Sequence, residues 1–242
     1  MLVLHGFTAK PKTVWPLVPF LEHAGFAFEV PVLRGHATAP EDLAGVRWED
    51  WLEDALAAYD RLAAEHAAVA VVGHSMGGCV AGLVAARRSA TAALVLAAPA
   101  LRFRNRQAAL APYLWRIRRY AGEPGSAVLD PALRERADRA EITYPRFPVR
   151  AFAELYELSR LAPRALRAVR APALVVHARR DRVIPFAASE LALRSLGSAE
   201  KELRAFEGCD HELFWDAEAD AISAQIASFL EKHSRVRSGA PA

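Results

Sequence analysis

Few cysteines and no long apolar run are present in this sequence. Only two of its 242 residues are cysteine, Cys79 and Cys209. Two are too few for the disulfide framework of a small secreted domain, so we expect a cytoplasmic location. No apolar run approaches the roughly 20 residues that span a bilayer, so stable membrane insertion is not expected. Neither a basic N-terminal region nor a cleavage signature is found, and no signal peptide is predicted.

Motifs for metals and nucleotides are also missing. The chain contains no Cys-x-x-Cys and no His-Glu-x-x-His, which are frequent metal-binding patterns. It also contains no Gly-x-Gly-x-x-Gly and no phosphate-binding loop. We therefore expect neither a metal nor another cofactor.

Lysine is scarce, and the positive charge is carried by arginine. The formal net charge is only +3 and the isoelectric point is about 9.1. Residues 100–170 nevertheless contain fifteen arginines against seven acidic residues, which gives this segment a charge near +8. A basic lid that attracts anionic substrates or lipid head groups is one interpretation. We favour a second interpretation, in which the excess of arginine reflects only a chain composition rich in alanine and arginine. Nucleic-acid binding is not expected, because no recognition motif accompanies the arginines.

One short segment carries most of the functional information. The apolar run Val69–Val72 leads directly into Gly73-His74-Ser75-Met76-Gly77, and a small-residue helical pattern follows as far as Arg88. This order predicts a strand, a sharp turn and a helix, with a serine at the apex of the turn. The alternative is a small-residue turn that only allows a helix to pack on a sheet. The strand-and-helix context favours a nucleophilic Ser75.

A nucleophilic serine needs a base, and the base needs an acid that holds its tautomer. Asp181 follows the apolar strand predicted at Ala173–Ala178, and His211 follows the strand predicted at Lys201–Phe206. The chain order is therefore serine, acid, histidine. All three candidates follow a strand, so we expect them at the carboxyl edge of one sheet, where open α/β folds place their sites.

Each candidate has a rival. Asp181 could be an ordinary loop acid paired with a neighbouring arginine. Asp210 is a second candidate acid, but it adjoins His211, and an adjacent side chain rarely reaches the ring nitrogen that points away from the serine. His177 lies inside a predicted strand, so we interpret it as a core histidine whose hydrogen bonds are satisfied.

Five motifs in order resemble the α/β-hydrolase superfamily, of the small carboxylesterase and monoacylglycerol-lipase type. They are Leu4-His5-Gly6-Phe7-Thr8, Arg34-Gly35-His36, Gly73-His74-Ser75-Met76-Gly77, Asp181 with Val183-Ile184-Pro185, and Gly208-Cys209-Asp210-His211. The resemblance implies a mostly parallel sheet with helices on both faces and an inserted helical cap. It also implies hydrolysis of a small-molecule ester through an acyl-serine intermediate.

An oxyanion hole needs two donors directed at the developing negative charge. The backbone N–H of Met76 is expected to be one of them, because it begins the helix after the serine. The resemblance implies that the backbone N–H of Phe7 is the other. His5 is expected to support this loop, and His74 flanks the serine.

The segment between the strands ending at Ala97 and beginning at Ala173 breaks the α/β alternation. Leu110, Tyr113, Leu114, Ile117 and Tyr120 have the spacing of one helix face, and Phe152, Leu155, Tyr156 and Ser159 repeat it. We predict a helical cap at 100–170, inserted into a core formed by 1–99 and 171–233. Its inward face would wall an acyl pocket, with Tyr113, Phe152 and Tyr156 as candidate lining residues. Residues 234–242 are expected to be a flexible tail.

The sequence begins within a predicted strand. Relatives carry an N-terminal β-hairpin before it, so we expect that this hairpin is missing or that the start was placed too far downstream. Its absence would uncover the strand expected around Ala27–Pro31.

The leading function is a serine carboxylic-ester hydrolase acting on short- to medium-chain acyl esters or monoacylglycerols. A thioesterase, an amidase or peptidase, a C–C hydrolase and an acyl transferase can use the same three residues. A non-catalytic ligand-binding homologue is the third class, and the presence of Ser75, Asp181 and His211 argues against it.

Overall fold

A five-stranded parallel sheet forms the centre of the computed structural model, which describes residues 1–122, 135 and 142–234. The strands in chain order are β1 (Leu2–Leu4), β2 (Val69–His74), β3 (Thr91–Ala97), β4 (Tyr120–Ala121), β5 (Phe147–Pro148), β6 (Ala173–Ala178) and β7 (Lys201–Phe206). The large sheet has the order β1-β2-β3-β6-β7, and β4 pairs with β5 in a separate antiparallel ribbon. Every neighbouring pair in the large sheet is parallel, as predicted.

The register aligns the carboxyl ends of the strands. One row across the sheet runs through Leu4, Gly73, Leu96, Val175 and Leu203. Because the strands are parallel and in this register, the loops that follow β1, β2, β6 and β7 leave at the same edge. That edge carries the candidate site.

Helices cover both faces of the sheet. They are α1 (Val18–His23), α2 (Trp48–Glu65), α3 (Met76–Arg87), α4 (Ala111–Leu114), α5 (Val149–Leu166), α6 (Ala187–Ser195) and α7 (Ala219–Ser234), with 3₁₀ helices at Pro11–Leu17, Pro40–Gly45 and Arg106–Leu110. Two hydrophobic clusters lie between helices and sheet. Buried residues of α2, α3, α5 and α6 form the first, and those of α1 and α7 contribute to the second. Successive side chains of β3 point to opposite faces of the sheet and so enter both clusters. Leu94 and Leu96 belong to the first cluster, and Ala93 and Val95 belong to the second.

The segment around Ala27–Pro31 forms a single parallel bridge rather than the predicted strand. Glu29 pairs with Leu2, accepting a hydrogen bond from Val3 N (2.9 Å) and donating one to Met1 O (2.8 Å). Two main-chain bonds therefore cover the outer edge of β1 at this point.

Within the predicted cap, the structure has the helix expected in the C-terminal part and lacks the one expected in the N-terminal part. The pattern around Phe152 lies on α5, as predicted. The helix predicted along Leu110–Tyr120 is wrong, because α4 has only four residues and the chain becomes extended at Tyr120 to pair with Pro148. Cap residues 123–134 and 136–141 and tail residues 235–242 lie outside the described part of the chain.

Two kinds of feature are absent from the described residues. None of the helices there is long and apolar enough to cross a membrane. The same residues contain no group of three or more histidine, cysteine, aspartate or glutamate side chains placed to hold a metal ion.

Candidate active site

Ser75 occupies a strained turn between β2 and α3. Its backbone has φ 55° and ψ −115°, a positive-φ conformation that side chains rarely adopt. The two flanking glycines make the turn possible. A Cβ on Gly73 would overlap the carbonyl of Gly77, and a Cβ on Gly77 would overlap the carbonyl of Leu4. Only glycine at both positions allows α3 to approach β1 and β2 this closely.

The structure brings Ser75, His211 and Asp181 into one hydrogen-bonded chain. Ser75 Oγ lies 3.0 Å from His211 Nε2, and His211 Nδ1 lies 2.7 Å from Asp181 Oδ2. The carboxylate only accepts, so Nδ1 carries the hydrogen and Nε2 is free to accept the serine hydroxyl. Ser75 is 8% exposed, His211 5% and Asp181 0%. This arrangement can remove the serine proton as the oxygen attacks a carbonyl carbon.

Four donors surround the Asp181 carboxylate. Oδ1 accepts the backbone N–H groups of Val183 (2.8 Å) and Ile184 (2.7 Å). Oδ2 accepts from His211 and, at 2.9 Å, from Nε2 of His177. Burial alone would raise the pKa of Asp181, but the charge of His211 and the hydrogen bonds outweigh it and lower that pKa below its usual range.

His211 shows the opposite balance. Burial lowers its pKa, but the Asp181 charge and hydrogen bond outweigh burial and raise the pKa of His211 above its usual value. The imidazolium form is therefore stabilised inside the site. A base with this environment holds a proton well once it has taken one from Ser75.

The rival acid Asp210 has other partners. Its Oδ1 accepts the backbone N–H groups of Arg182 and His211, both at 2.8 Å. Its Oδ2 forms an ion pair with the guanidinium of Arg182. Asp210 thus binds the loop that carries Asp181 and leaves the His211 ring to Asp181.

The loop after β1 lies directly against the nucleophile. A Cβ added to Gly6 would lie 3.3 Å from Ser75 Cβ. Phe7 follows, and Thr8 has a positive φ of 60°. Among the described residues, no acceptor takes the backbone N–H of Phe7 or of Met76. Both groups therefore stay candidates for binding a ligand oxygen near Ser75.

Three buried histidines near the site, His5, His36 and His74, are held in the neutral form. Burial lowers the pKa of His5 to about 4 and that of His36 and His74 to about 3. His5 Nδ1 lies 2.9 Å from Gly6 O, and His74 Nε2 lies 3.0 Å from His211 O. Each nitrogen donates to a carbonyl of a loop that carries a candidate site residue.

A cavity of about 570 Å³ opens above Ser75. Four phenylalanines form its wall and contact each other with ring centroids 5.3–5.9 Å apart: Phe7, Phe103, Phe147 and Phe152. Polar and charged groups also line it: Asn105, Gln107, Arg118, Arg182 and Glu212. Burial raises the pKa of Glu212. The cavity lining therefore combines apolar rings with polar and charged groups.

Two of the three predicted pocket residues lie elsewhere. Phe152 lines the cavity, whereas Tyr113 and Tyr156 line a separate groove of about 560 Å³ between α4 and α5. Tyr113 is 72% exposed. The expectation for Tyr113 assumed a long helix, and the four-residue α4 does not keep that face inward.

The sequence interpretation missed several groups at the site. His177 is buried and satisfied, as expected of a core histidine, but its Nε2 also binds Asp181. Tyr144, from the cap segment, donates its backbone N–H to Thr8 O at 2.9 Å. Glu212, next to His211, lines the cavity.

Comparison with known proteins identifies the family of the chain. A profile of the family described as "Serine aminopeptidase, S33" matches residues 1–218. The chain belongs to this family of serine hydrolases. Two curated Bacillus relatives cover 96% or more of the chain. A thermostable monoacylglycerol lipase of a Bacillus species is 25% identical over 234 residues, which are 97% of this chain and 91% of that protein. A carboxylesterase of Bacillus subtilis is 24% identical over 233 residues, which are 96% and 92% of the two chains.

Solved structures agree on the fold. A structure from a study of LipS and LipT, two metagenome-derived lipolytic enzymes, superposes with a TM-score of 0.85 at 28% identity, covering 96% of this chain and 93% of that one. A soluble variant of monoglyceride lipase from Saccharomyces cerevisiae has a TM-score of 0.84 at 18% identity, covering 96% and 86%. The α/β-hydrolase fold predicted from the sequence motifs is confirmed.

Proposed function

We propose that this serine hydrolase cleaves carboxylic esters of short- to medium-chain acyl groups, monoacylglycerols among them. The observation that carries the proposal is the chain of hydrogen bonds Ser75–His211–Asp181 beneath a largely apolar cavity. The lipase and esterase names of the relatives support it.

The first half of the reaction forms an acyl-serine. Ser75 Oγ attacks the ester carbonyl carbon as its proton passes to His211 Nε2, and Asp181 stabilises the imidazolium that results. Negative charge collects on the former carbonyl oxygen. The backbone N–H groups of Phe7 and Met76 donate to it, each contributing about 3–4 kcal/mol of transition-state stabilisation. The first half ends as His211 gives its proton to the alcohol oxygen, the carbon–oxygen bond breaks and the alcohol leaves, so that the acyl-serine remains.

The second half returns the enzyme to its starting state. The neutral ring of His211 then takes a proton from water, whose oxygen attacks the acyl carbon. Ser75 recovers its proton from His211 as the carboxylic acid departs.

The wall of phenylalanines supports an apolar acyl group as substrate. Each methylene buried there contributes roughly 0.8 kcal/mol. A chain of several carbons against Phe103, Phe147 and Phe152 would therefore gain a few kcal/mol in binding. The polar groups of the lining, Asn105 and Arg182 among them, fit an alcohol with hydroxyl groups.

The competing function is cleavage of peptides from a free N-terminus, as the family description suggests. An aminopeptidase must neutralise a substrate ammonium group in its cavity. Among the described lining residues Glu212 is the single carboxylate, against the two arginines Arg118 and Arg182. Burial raises the pKa of Glu212, which weakens its negative charge. Ester cleavage is the better fit.

The two cysteines support a reducing cytoplasm as the location. Both Cys79 and Cys209 are free thiols and both are buried. Neither forms a disulfide that an oxidising compartment would maintain.

A panel of p-nitrophenyl esters with a fluorophosphonate label tests the proposed function. We expect Ser75→Ala to lower turnover by several orders of magnitude, up to about 10⁶-fold, and to abolish labelling. Ser223→Ala is the matched control, because it removes the hydroxyl of another buried serine, on α7. Retention of a tenth of the activity in Ser75→Ala would reject the nucleophile. Faster turnover of aminoacyl p-nitroanilides than of esters would favour the peptidase.

A further inference from the structure

A second serine–histidine pair meets the same oxygen of the Asp181 carboxylate as His211 does. His177 Nε2 lies 2.9 Å from Asp181 Oδ2, and His177 Nδ1 lies 2.6 Å from Ser189 Oγ. His177, Ser189 and Asp181 are all fully buried. The hydrogen-bonded chain therefore runs Ser75–His211–Asp181–His177–Ser189, and only its first half ends at the cavity.

The partners of His177 fix its tautomer. Nε2 lies within hydrogen-bond distance of two acceptors, the Asp181 carboxylate and, at 3.2 Å, the carbonyl of Ile184. Neither can donate, so Nε2 carries the hydrogen. In a neutral ring Nδ1 then has a lone pair, and the hydroxyl of Ser189 donates to it. Ser189 thus directs the N–H of His177 towards Asp181.

We propose that His177, oriented by Ser189, is a positioning residue that holds Asp181 for its work on His211; the inference rests on the proposed function. The carboxyl torsion of an aspartate is broad, so the group needs contacts on both oxygens to keep its plane. Val183 and Ile184 hold Oδ1 through their backbone N–H groups. His177 holds Oδ2. His211 accepts and releases protons in each cycle, so its own bond to Oδ2 changes in strength as the reaction proceeds.

The chemistry of the ring suggests a matched pair of substitutions. A glutamine amide at position 177 reaches about as far as Nε2 and can donate to Asp181. An asparagine amide reaches about as far as Nδ1, so it keeps the contact with Ser189 and leaves Oδ2 without its second donor. His177→Gln and His177→Asn have similar polarity and differ mainly in which partner they reach.

We expect His177→Asn to lower kcat on p-nitrophenyl acetate by about tenfold or more, with KM changed less than about twofold, because a hydrogen bond to a charged group is lost. His177→Gln should remain within about threefold of wild type. The low-field proton NMR signal of His211 Nδ1–H should shift in the asparagine variant and stay near its wild-type position in the glutamine variant. Ser189→Ala should fall between the two in kcat.

Val175→Ala controls for packing, since Val175 lies two residues before His177 on the same face of β6. It should lower thermal stability with kcat and the NMR signal unchanged. Equal kcat and equal NMR shifts in the two His177 variants, both folded, would overturn the proposal, as would wild-type kcat in His177→Asn. If His177→Asn fails to fold, a wild-type kcat and NMR signal in Ser189→Ala would overturn it. Labelling of Ser75 in the wild type tests the proposed function separately.

Discussion

Asp181 combines complete burial with a full set of hydrogen-bond donors. Two backbone N–H groups bind one oxygen and two imidazole rings bind the other. All of these partners favour the ionised form, which is why the pKa of this carboxyl falls although burial opposes it. An ionised Asp181 in turn keeps the hydrogen of His211 on Nδ1.

The acid limb of the pH profile follows from this pair. His211 acts as a base only when neutral, and Asp181 raises its pKa above the usual value despite burial. At a given pH a raised pKa leaves less of the neutral form. We therefore expect kcat/KM for a p-nitrophenyl ester to rise with pH through a midpoint above about 6.5, the ordinary histidine value. A midpoint at or below 6.5 would contradict the direction of the shift.

Substitution of the two acids tests their roles. Asp181→Asn should lower kcat by about 10⁴-fold, since an amide no longer fixes the Nδ1–H tautomer. The midpoint of its residual acid limb should also move down, because the stabilising charge is gone. Asp210→Asn should cost far less, since Asp210 binds Arg182 and the backbone of His211. Steady-state rates across pH measure both, and a larger loss at Asp210 would reverse the assignment.

Sequence reasoning could predict that these candidate residues lie close together, because their positions depend on local order. Ser75, Asp181 and His211 each follow a strand, and parallel strands bring such loops to one edge. The second contact of Asp181 was not predictable in the same way. His177 reads as an ordinary strand residue, and its reach to Asp181 depends on how the chain turns back after β6.

At the scale of elements, the cap shows where sequence periodicity fails. The pattern on α5 is long and is supported by packing, and that helix was predicted. Around Leu110–Tyr120 the same spacing occurs, but the chain instead forms a 3₁₀ turn, the short α4 and then β4. The partner of β4 is Phe147–Pro148, more than 20 residues away in sequence. A local pattern carries no information about such pairing.

The positions of two cap residues predict an effect on acyl preference for one aromatic truncation and none for the other. Phe152 lines the cavity above Ser75, whereas Tyr113 faces an outer groove. We expect Phe152→Ala to change the ratio of kcat/KM for octanoyl over acetyl esters by about tenfold, as the loss of a few buried methylene contacts implies. Tyr113→Ala should leave that ratio unchanged. Equal changes in the two variants would place the acyl pocket elsewhere.

The cap segment also touches the loop that carries Phe7. Lys10 donates its N–H to Ile142 O (2.8 Å), and Tyr144 donates its N–H to Thr8 O (2.9 Å). The hydroxyl of Tyr144 accepts from Thr38 N and donates to Gly35 O. These bonds link the cap to the backbone beside the proposed oxyanion donor. We therefore expect the cap to influence the chemical step as well as the acyl wall.

Tyr144→Phe removes the hydroxyl and leaves the ring in place. The N–H of Thr38 then loses its partner, and the segment that holds Thr8 is less well fixed. We expect kcat to fall by up to about tenfold on acetyl and octanoyl esters alike, as the loss of one buried hydrogen bond allows. A loss confined to octanoyl esters would show that Tyr144 acts on acyl binding alone.

At the scale of the whole molecule, much of the excess of arginine is engaged within the fold. In the cap, Arg116 and Arg150 lie over the ring of Trp115, and Arg119 and Arg146 lie over that of Tyr120. Guanidinium groups stacked on rings cover apolar surface as well as carry charge. This arrangement favours the compositional interpretation of the arginines over a lid built for anionic ligands.

The cap and the sheet share one hydrophobic core. Leu155, Leu158 and Leu166 of α5 belong to the same buried cluster as Leu94 and Leu96 of the sheet. A Cβ added to Gly82 on α3 would lie 2.8 Å from Leu166 Cδ2, so α5 and α3 are in close contact. An insertion packed this closely should unfold together with the core instead of as an independent domain.

Truncations in the two parts test this cooperativity. Leu158→Ala in the cap and Leu96→Ala in the sheet each remove a fully buried side chain, which typically costs about 2–5 kcal/mol. In a chain of this size, each should lower Tm by about 5–15 °C in calorimetry while a single transition is kept. Ile117→Ala, at a cap residue that is 84% exposed, should leave Tm unchanged. The shared core predicts that loss of Leu158 destabilises the sheet as directly as loss of Leu96. A separate low-temperature transition that appears only in Leu158→Ala would contradict this and would mean that the cap folds independently.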